Sequence, residues 1–276
     1  AAIAPAFDDV WVANASTSFT LWTRVPRPVN ASVAFPFLTG FGSTVVFTED
    51  TVVVAGGLSR QGFVSALLVS RDAGVTWERH VPTVANIDRG NATGWWSGRT
   101  GLQLAYVQLS EILVVSGGRS LYKATSDTWL TPVVGIGQAG VWEPEWFIAD
   151  SSTTLTDYRP GQARNELDGR FAPRMMFGLA RMSSAGLYFL VGGQTISDSG
   201  VGQQCRNDVW KSYGDYGSQW TMVSGDEQNA STRFRPRCPT VVVPLPSLEL
   251  VVLPSVSGPL VPLMHLEYDP STWITR

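Results

Sequence analysis

The heptapeptide ILVVSGG, Ile112–Gly118, is the stretch on which the fold turns. An unbroken apolar run rich in β-branched residues, stopped by two glycines, reads as a buried strand with its end marked. The same arrangement recurs as VVVAGG (Val52–Gly57) and LYFLVGG (Leu187–Gly193). Downstream of each comes another strand-like run, a polar turn and a tryptophan: Trp77, Trp129 and Trp220, all read as fourth-strand residues. Trp22 and Trp273 take the equivalent places near the chain ends. Three of the four intervals between these tryptophans agree on a period of roughly 53 residues, and the interval Trp129–Trp220 carries an insertion of about 38.

That period is the length of a four-stranded propeller blade. The glycine pair, preceded by apolar residues and followed by an aromatic residue and a tryptophan, resembles the kelch repeat. The resemblance covers most of the chain and implies an all-β fold: a β-propeller of four-stranded antiparallel blades, five in number or six, forming a single domain over 1–276. DDVW (Asp8–Trp11) matches NDVW (Asn207–Trp210), and RFAPR (Arg170–Arg174) matches RFRPR (Arg233–Arg237) as a shared approach to a first strand. The expected layout is strands three and four of a blade at 8–26, blades at 43–82 and 100–134, an irregular insertion at 135–169, and blades at 170–224 and 233–276. The last repeat has LELVVLPS (Leu248–Ser255) where a glycine pair is expected. By this count two strands are missing from the ring. Three explanations stay open: a shifted register, a chain that continues past Arg276, or a second molecule completing the sheet by strand addition.

Between the third and fourth strands of the second blade stands SRDAGVTW, Ser70–Trp77. Its pattern of Ser70, Asp72, Gly74, Thr76 and Trp77 resembles the Asp box of sialidases, where the resemblance implies a structural turn away from the catalytic pocket. The chemistry suits a turn: a carboxylate to accept backbone N–H bonds, a glycine for positive φ and an indole to bury. SYGDYGSQW, with Asp215, Gly217 and Trp220, keeps the spacing in a later repeat. A sialidase would also need an arginine triad, a Tyr–Glu pair and an acid. TRVP (Thr23–Pro26) resembles the family's arginine motif only loosely and follows a fourth-strand tryptophan, which is the wrong place.

Composition bounds the rest. The 276 residues include 27 Gly, 17 Pro and 11 Trp, a mixture of strand formers and turn punctuation. A formal net charge of −3 gives no general attraction for nucleic acid or anionic membrane. No apolar run approaches the ~20 residues that span a bilayer, so no membrane span is expected. The opening AAIAPAF reads as a mature chain whose leader has been removed. Four N-glycosylation sequons, at Asn14, Asn30, Asn91 and Asn229, exceed the roughly one expected by chance and point to a secreted or cell-surface glycoprotein. Cys205 and Cys238 are the only cysteines, and in such a chain they are expected to form one disulfide.

Catalytic sets are poorly served. With only His80 and His265, a multi-histidine metal centre of the kind found in copper oxidases on kelch propellers cannot be assembled, and no metal or cofactor is expected. No nucleophile elbow or phosphate loop is present. Glu143, Glu145 and Asp150 lie in the insertion, and Trp95–Trp96 beside a sequon reads as a sugar-stacking patch or as core packing. The most suggestive polar cluster is Arg170, Arg174, Arg233, Arg235 and Arg237, placed either to meet an acidic ligand or partner, or to pair with carboxylates of neighbouring blades. The functional expectation is a secreted, non-catalytic glycoprotein acting through protein contacts. Copies of itself are among its expected partners, in an extracellular coat, matrix or filament. The alternative is a sialidase-like glycoside hydrolase or a glycan-binding lectin on the same scaffold.

Overall fold

The structure, a computed structural model, describes residues 8–13, 21–82, 93–121, 124–149, 171–182, 187–196, 203–213, 220–224, 234–244, 250–252 and 273–275. Among them regular structure is strand, with three short 3-10 turns and no α-helix.

A two-stranded ribbon comes first, β1 (Trp11–Ala13) against β2 (Trp22–Arg24). The second sheet takes β3 (Gly42–Val46), β4 (Thr51–Ala55), β7 (Leu67–Ser70) and β8 (Glu78–His80) in that order. A side hairpin of β5 (Leu58–Ser59) and β6 (Gly62–Phe63) stands between its second and third strands. In the third sheet β10 (Gln103–Val107), β11 (Ile112–Ser116), β12 (Thr128–Pro132) and β13 (Trp146–Ile148) are joined at the far edge by β9 (Thr93–Gly94). A fourth sheet holds β14 (Arg174–Met175), β15 (Gly178–Met182), β16 (Leu187–Ile196), β17 (Gln203–Tyr213) and β18 (Thr221–Ser224). The last contains β19 (Val242–Pro244), β20 (Leu250–Val252) and β21 (Trp273–Thr275). Every pairing is antiparallel.

The sheets stack face to face in chain order. Val53, Leu67, Leu104, Leu113 and Trp96 fill the layer between the second and third sheets. Val107, Val114, Phe171, Leu190 and Trp210 fill the next. Ala180 and Val191 meet Leu250 and Val252 in the layer after that. Val10 of the first ribbon packs with Val54, Leu68 and Trp77.

Two series of main-chain bonds stitch these layers together. In the first two pairs the first glycine serves its own sheet: Gly56 N–H donates to Ala66 O at 3.0 Å and Gly117 N–H to Asp127 O at 3.0 Å. The second reaches the next sheet, Gly57 donating to Arg99 O (2.8 Å), Gly118 to Arg174 O (2.8 Å) and Gly193 to Arg237 O (3.2 Å). Its φ is +103°, +100° and +91° at the three positions, a region that strongly favours glycine. A Cβ on Gly118 would also stand 3.1 Å from Thr100 O. The second series runs at the approach to each first strand: Gly101 N–H to Gly40 O (2.7 Å), Met176 N–H to Gly101 O (2.8 Å) and Thr240 N–H to Met176 O (2.8 Å). At Gly56–Gly57 and Gly117–Gly118 the predicted strand stop is also the joint between sheets; at Gly192–Gly193 the strand does not stop but runs on to Ile196 through a register shift, and the pair there is a joint within a strand.

Three sequence expectations are corrected. Trp129 lies in β12, a third strand, and not in the place of Trp77 and Trp220, which directly precede the fourth strands β8 and β18. Its sheet runs on to β13, so 135–169 is not irregular throughout: Trp146–Ile148 is a fourth strand. Trp273 belongs to β21, third in its sheet, and that sheet has three strands among the described residues where four were expected. For Trp129, which is buried, the physical cause is packing. A tryptophan buries its ring equally well from a third strand or from the turn before a fourth, and spacing alone does not separate them.

Candidate functional site

The Asp box is a closed hydrogen-bond unit in the β7–β8 turn. Ser70 Oγ donates to Asp72 Oδ1 (2.9 Å) and accepts from Gly74 N–H (2.8 Å). Asp72 Oδ1 accepts from Thr76 N–H (2.8 Å), and its Oδ2 from Thr76 Oγ1 (2.6 Å). Trp77 Nε1 closes the turn on Gly74 O at 3.0 Å, with the indole buried against Phe35. Partial burial pushes the Asp72 carboxyl up, but the bonds from Thr76, Ser70 and the Val75 backbone outweigh it and hold the group below the usual carboxylate range. Both oxygens are engaged by the turn itself. Asp215 and Gly217, the sequence counterparts, lie outside the described residues.

The arginine cluster divides. Arg174 is fully buried and grips Asp208 with two parallel bonds, at 2.7 and 2.8 Å, while its Nη1 also donates to Gly192 O (2.8 Å). Trp210 Nε1 donates to the same carboxylate at 2.7 Å. Arg237 is fully buried over the Phe234 ring. Arg235 is exposed, and Arg170 and Arg233 lie outside the described residues.

An identical unit, which the sequence reading missed, stands one sheet earlier. Arg99 binds Asp127 at 2.5 and 2.9 Å and Gly117 O at 3.1 Å, and Trp129 Nε1 donates to Asp127 at 2.6 Å. Burial raises the Asp127 carboxyl, but the Arg99 charge, followed by the Arg99, Trp129 and Thr125 bonds, pulls it below the ordinary value. The signal was present in the chain. Trp96–Arg99, Phe171–Arg174 and Phe234–Arg237 share an aromatic residue three positions before the arginine, and Asp127–Trp129, Asp208–Trp210 and Asp9–Trp11 share the Asp-x-Trp spacing. Trp11 Nε1 donates to Asp9 at 2.8 Å in the same way, at the surface.

The other candidates are placed as follows. Trp95 and Trp96 are buried with Trp146, their ring centroids 6.1–6.2 Å apart, so the pair is core packing. His80 stacks edge-on to Trp142 at 5.2 Å, with Glu78 Oε1 at 3.5 Å from its Nε2. Glu143 and Glu145 are exposed; Asp150 and His265 lie outside the described residues. Among the described residues no group of three or more His, Cys, Asp or Glu converges to hold a metal.

Cys205 and Cys238 form a disulfide with Cα atoms 5.4 Å apart, beside the Arg206–Arg237 bridge that joins the fourth sheet to the last. Closing its loop of 33 residues contributes roughly 3–4 kcal/mol in the chain-entropy account. Asn30 is exposed, and Ser32 N–H and Oγ both bond its Oδ1 (3.0 and 2.7 Å), leaving Nδ2, the atom that carries a glycan, outside the turn. Asn14, Asn91 and Asn229 lie outside the described residues. No helix among the described residues is long and apolar enough to cross a membrane.

Chemically, Arg99 with Asp127 and Arg174 with Asp208 are neutralised pairs inside the seams between sheets. The chain matches no protein-family model and no curated protein.

Proposed function

We propose that the chain is a kelch-like β-propeller, secreted and N-glycosylated, that works without catalysis through protein contacts, as a self-assembling subunit of an extracellular coat, matrix or filament. The observation that carries the assembly reading is the first ribbon. Trp11 and Trp22, which the strand register places on one face of the ribbon, are 50% and 62% exposed, so a two-stranded sheet presents an aromatic surface that a neighbouring chain can cover. Repetition of the glycine-pair joint and of the Arg–Asp–Trp unit supports the propeller. The disulfide and the accessible Asn30 side chain support an oxidising, glycosylating route.

Size-exclusion chromatography with light scattering tests it. The expected result is a mass above that of one chain that falls on dilution, and lower mass for Trp11→Ser/Trp22→Ser. A dilution-stable monomer contradicts the assembly reading. Intact mass spectrometry of the protein from a glycosylating host is expected to show N-glycans. The glycan-binding or sialidase-like alternative draws on the Asp box and the arginines. A glycan array and a fluorogenic sialoside assay are expected to be silent, and a signal in either favours that alternative.

A further inference from the structure

Strand alternation sends every connection in these sheets to one of two ends. Turns joining first to second and third to fourth strands share one end; the glycine-pair connections and the segments leading into each first strand share the other. Among the described residues, exposed charge divides between them.

At the hairpin end, Glu49, Asp50, Asp72, Glu111 and Glu143 are exposed. The turns that carry them touch. Gly137 packs on Glu49, Val133 N–H donates to Glu111 O at 2.9 Å, and Arg71 Nε donates to Ile136 O at 2.6 Å. Arg71 is engaged by Glu78 at 2.6 Å, and exposed Arg79 lies further along β8. Between the carboxylates, Phe47 and Leu109 project from the β3–β4 and β10–β11 turns, 74% and 81% exposed.

At the opposite end Arg27, Arg60, Arg119 and Arg235 are exposed. Arg60 and Arg27 flank the Phe37 ring at 4.8 and 5.9 Å. The described carboxylates here are Asp8, paired with Arg27, Asp9, 4.0 Å from Arg24, Asp127, held by Arg99, and Asp208, held by Arg174.

We propose that the acidic, apolar-tipped hairpin end of one copy docks on the basic end of the next, a head-to-tail contact that repeats along a filament. The proposal rests on the self-association reading above and names a contact separate from the β1–β2 ribbon. The occupant is a second copy because this chain carries both complementary surfaces. A contact between unlike patches leaves one of each free on every complex, so it propagates where a two-fold contact would stop.

The test is sedimentation velocity of the glycosylated full chain across a salt series, since the Asn30 sequon lies at the basic end. Association is expected to weaken at least about tenfold from low to high salt, as contacts between exposed charges do. Glu49→Lys/Glu111→Lys leaves three of the five hairpin-end carboxylates beside two lysines, removing most of the negative charge there, and Arg60→Glu/Arg119→Glu leaves two of the four arginines beside two new carboxylates, removing the positive charge of the other end. Each variant alone is expected to lose the salt-sensitive association while keeping the wild-type melting curve, and an equimolar mixture of the two is expected to regain it. Wild-type-like association of either variant, or no recovery on mixing, overturns the head-to-tail contact. Assembly that is indifferent to salt but lost in Trp11→Ser/Trp22→Ser overturns it while leaving the ribbon reading intact. A monomer under every condition overturns both.

Discussion

The second and third sheets solve one structural problem with opposite chemistry. In the third sheet Arg99, Asp127 and Trp129 form a buried ionic unit. The equivalent backbone positions of the second sheet carry Leu38, Ala66 and Leu68, all buried and apolar. The correspondence is set by main-chain bonds, since Gly56 donates to Ala66 O as Gly117 does to Asp127 O, and Gly40, two residues after Leu38, pairs with Gly101, two after Arg99. All three members change together. Half of the unit would be costly, because a buried guanidinium without its carboxylate keeps its desolvation penalty and loses its compensation. The main chain, in contrast, is the same in both sheets. The side chains that fill a seam are interchangeable as a set; the glycine-pair joint that makes the seam is not.

Asp127→Ala is the most damaging substitution. It gives the third sheet the alanine of the second without the matching leucines, and stranding Arg99 is expected to cost about 3–5 kcal/mol, read from urea unfolding of the full chain. Next come Gly57→Ala and Gly118→Ala. Each forces a side chain into φ near +100° with a carbonyl oxygen 3.1 Å from the new Cβ. Each is expected to cost about 1–3 kcal/mol, and because the joint is shared the two losses should be alike despite the different seams. Smaller still, Arg99→Leu/Asp127→Ala/Trp129→Leu rebuilds the apolar solution. Its stability is expected to return to within about 1.5 kcal/mol of the parent, and a loss as large as that of Asp127→Ala alone would show that the sets are not interchangeable.

The smallest effect separates the sheets by pH. His80, at the end of the second sheet, is held below the ordinary histidine value of 6.5 by burial first; Glu78 and Glu143 oppose the shift and Arg71 reinforces it. The folded state therefore binds that proton less readily than the unfolded chain. Its contribution is present above pH 6.5 and declines as pH falls below it. Asp127, held below 3.8, contributes fully above that value and is lost only as pH falls through its lower folded value. Thermal melts should show an early acid-sensitive limb that His80→Gln removes and a later one that it leaves in place.

Much of this was legible in the sequence. The glycine pairs and apolar runs marked β4 and β11 with their ends, because a buried strand and its stop leave a compositional trace; they marked β16 but not its end, since that strand passes through its glycine pair to Ile196. The Asp box marked its turn because each residue there has a local hydrogen-bonding task. Arg99 was not legible as the partner of Asp127, since the two are far apart in sequence and meet only when the sheet forms. Trp129 was misplaced because its indole answers to Asp127, two residues before it, and not to the repeat period. The charge difference between the two ends appears only once strand direction assigns each loop to an end.

The joint between successive sheets is built by the main chain whatever the side chains do, which gives a scaffold with fixed ends to present. Amide hydrogen exchange of Gly57, Gly118 and Gly193 tests it most directly. Comparable, near-global protection at all three is the predicted result. Fast, loop-like exchange at Gly57 beside slow exchange at Gly118 and Gly193 would contradict it, because the ionic units would then be what holds the seams closed.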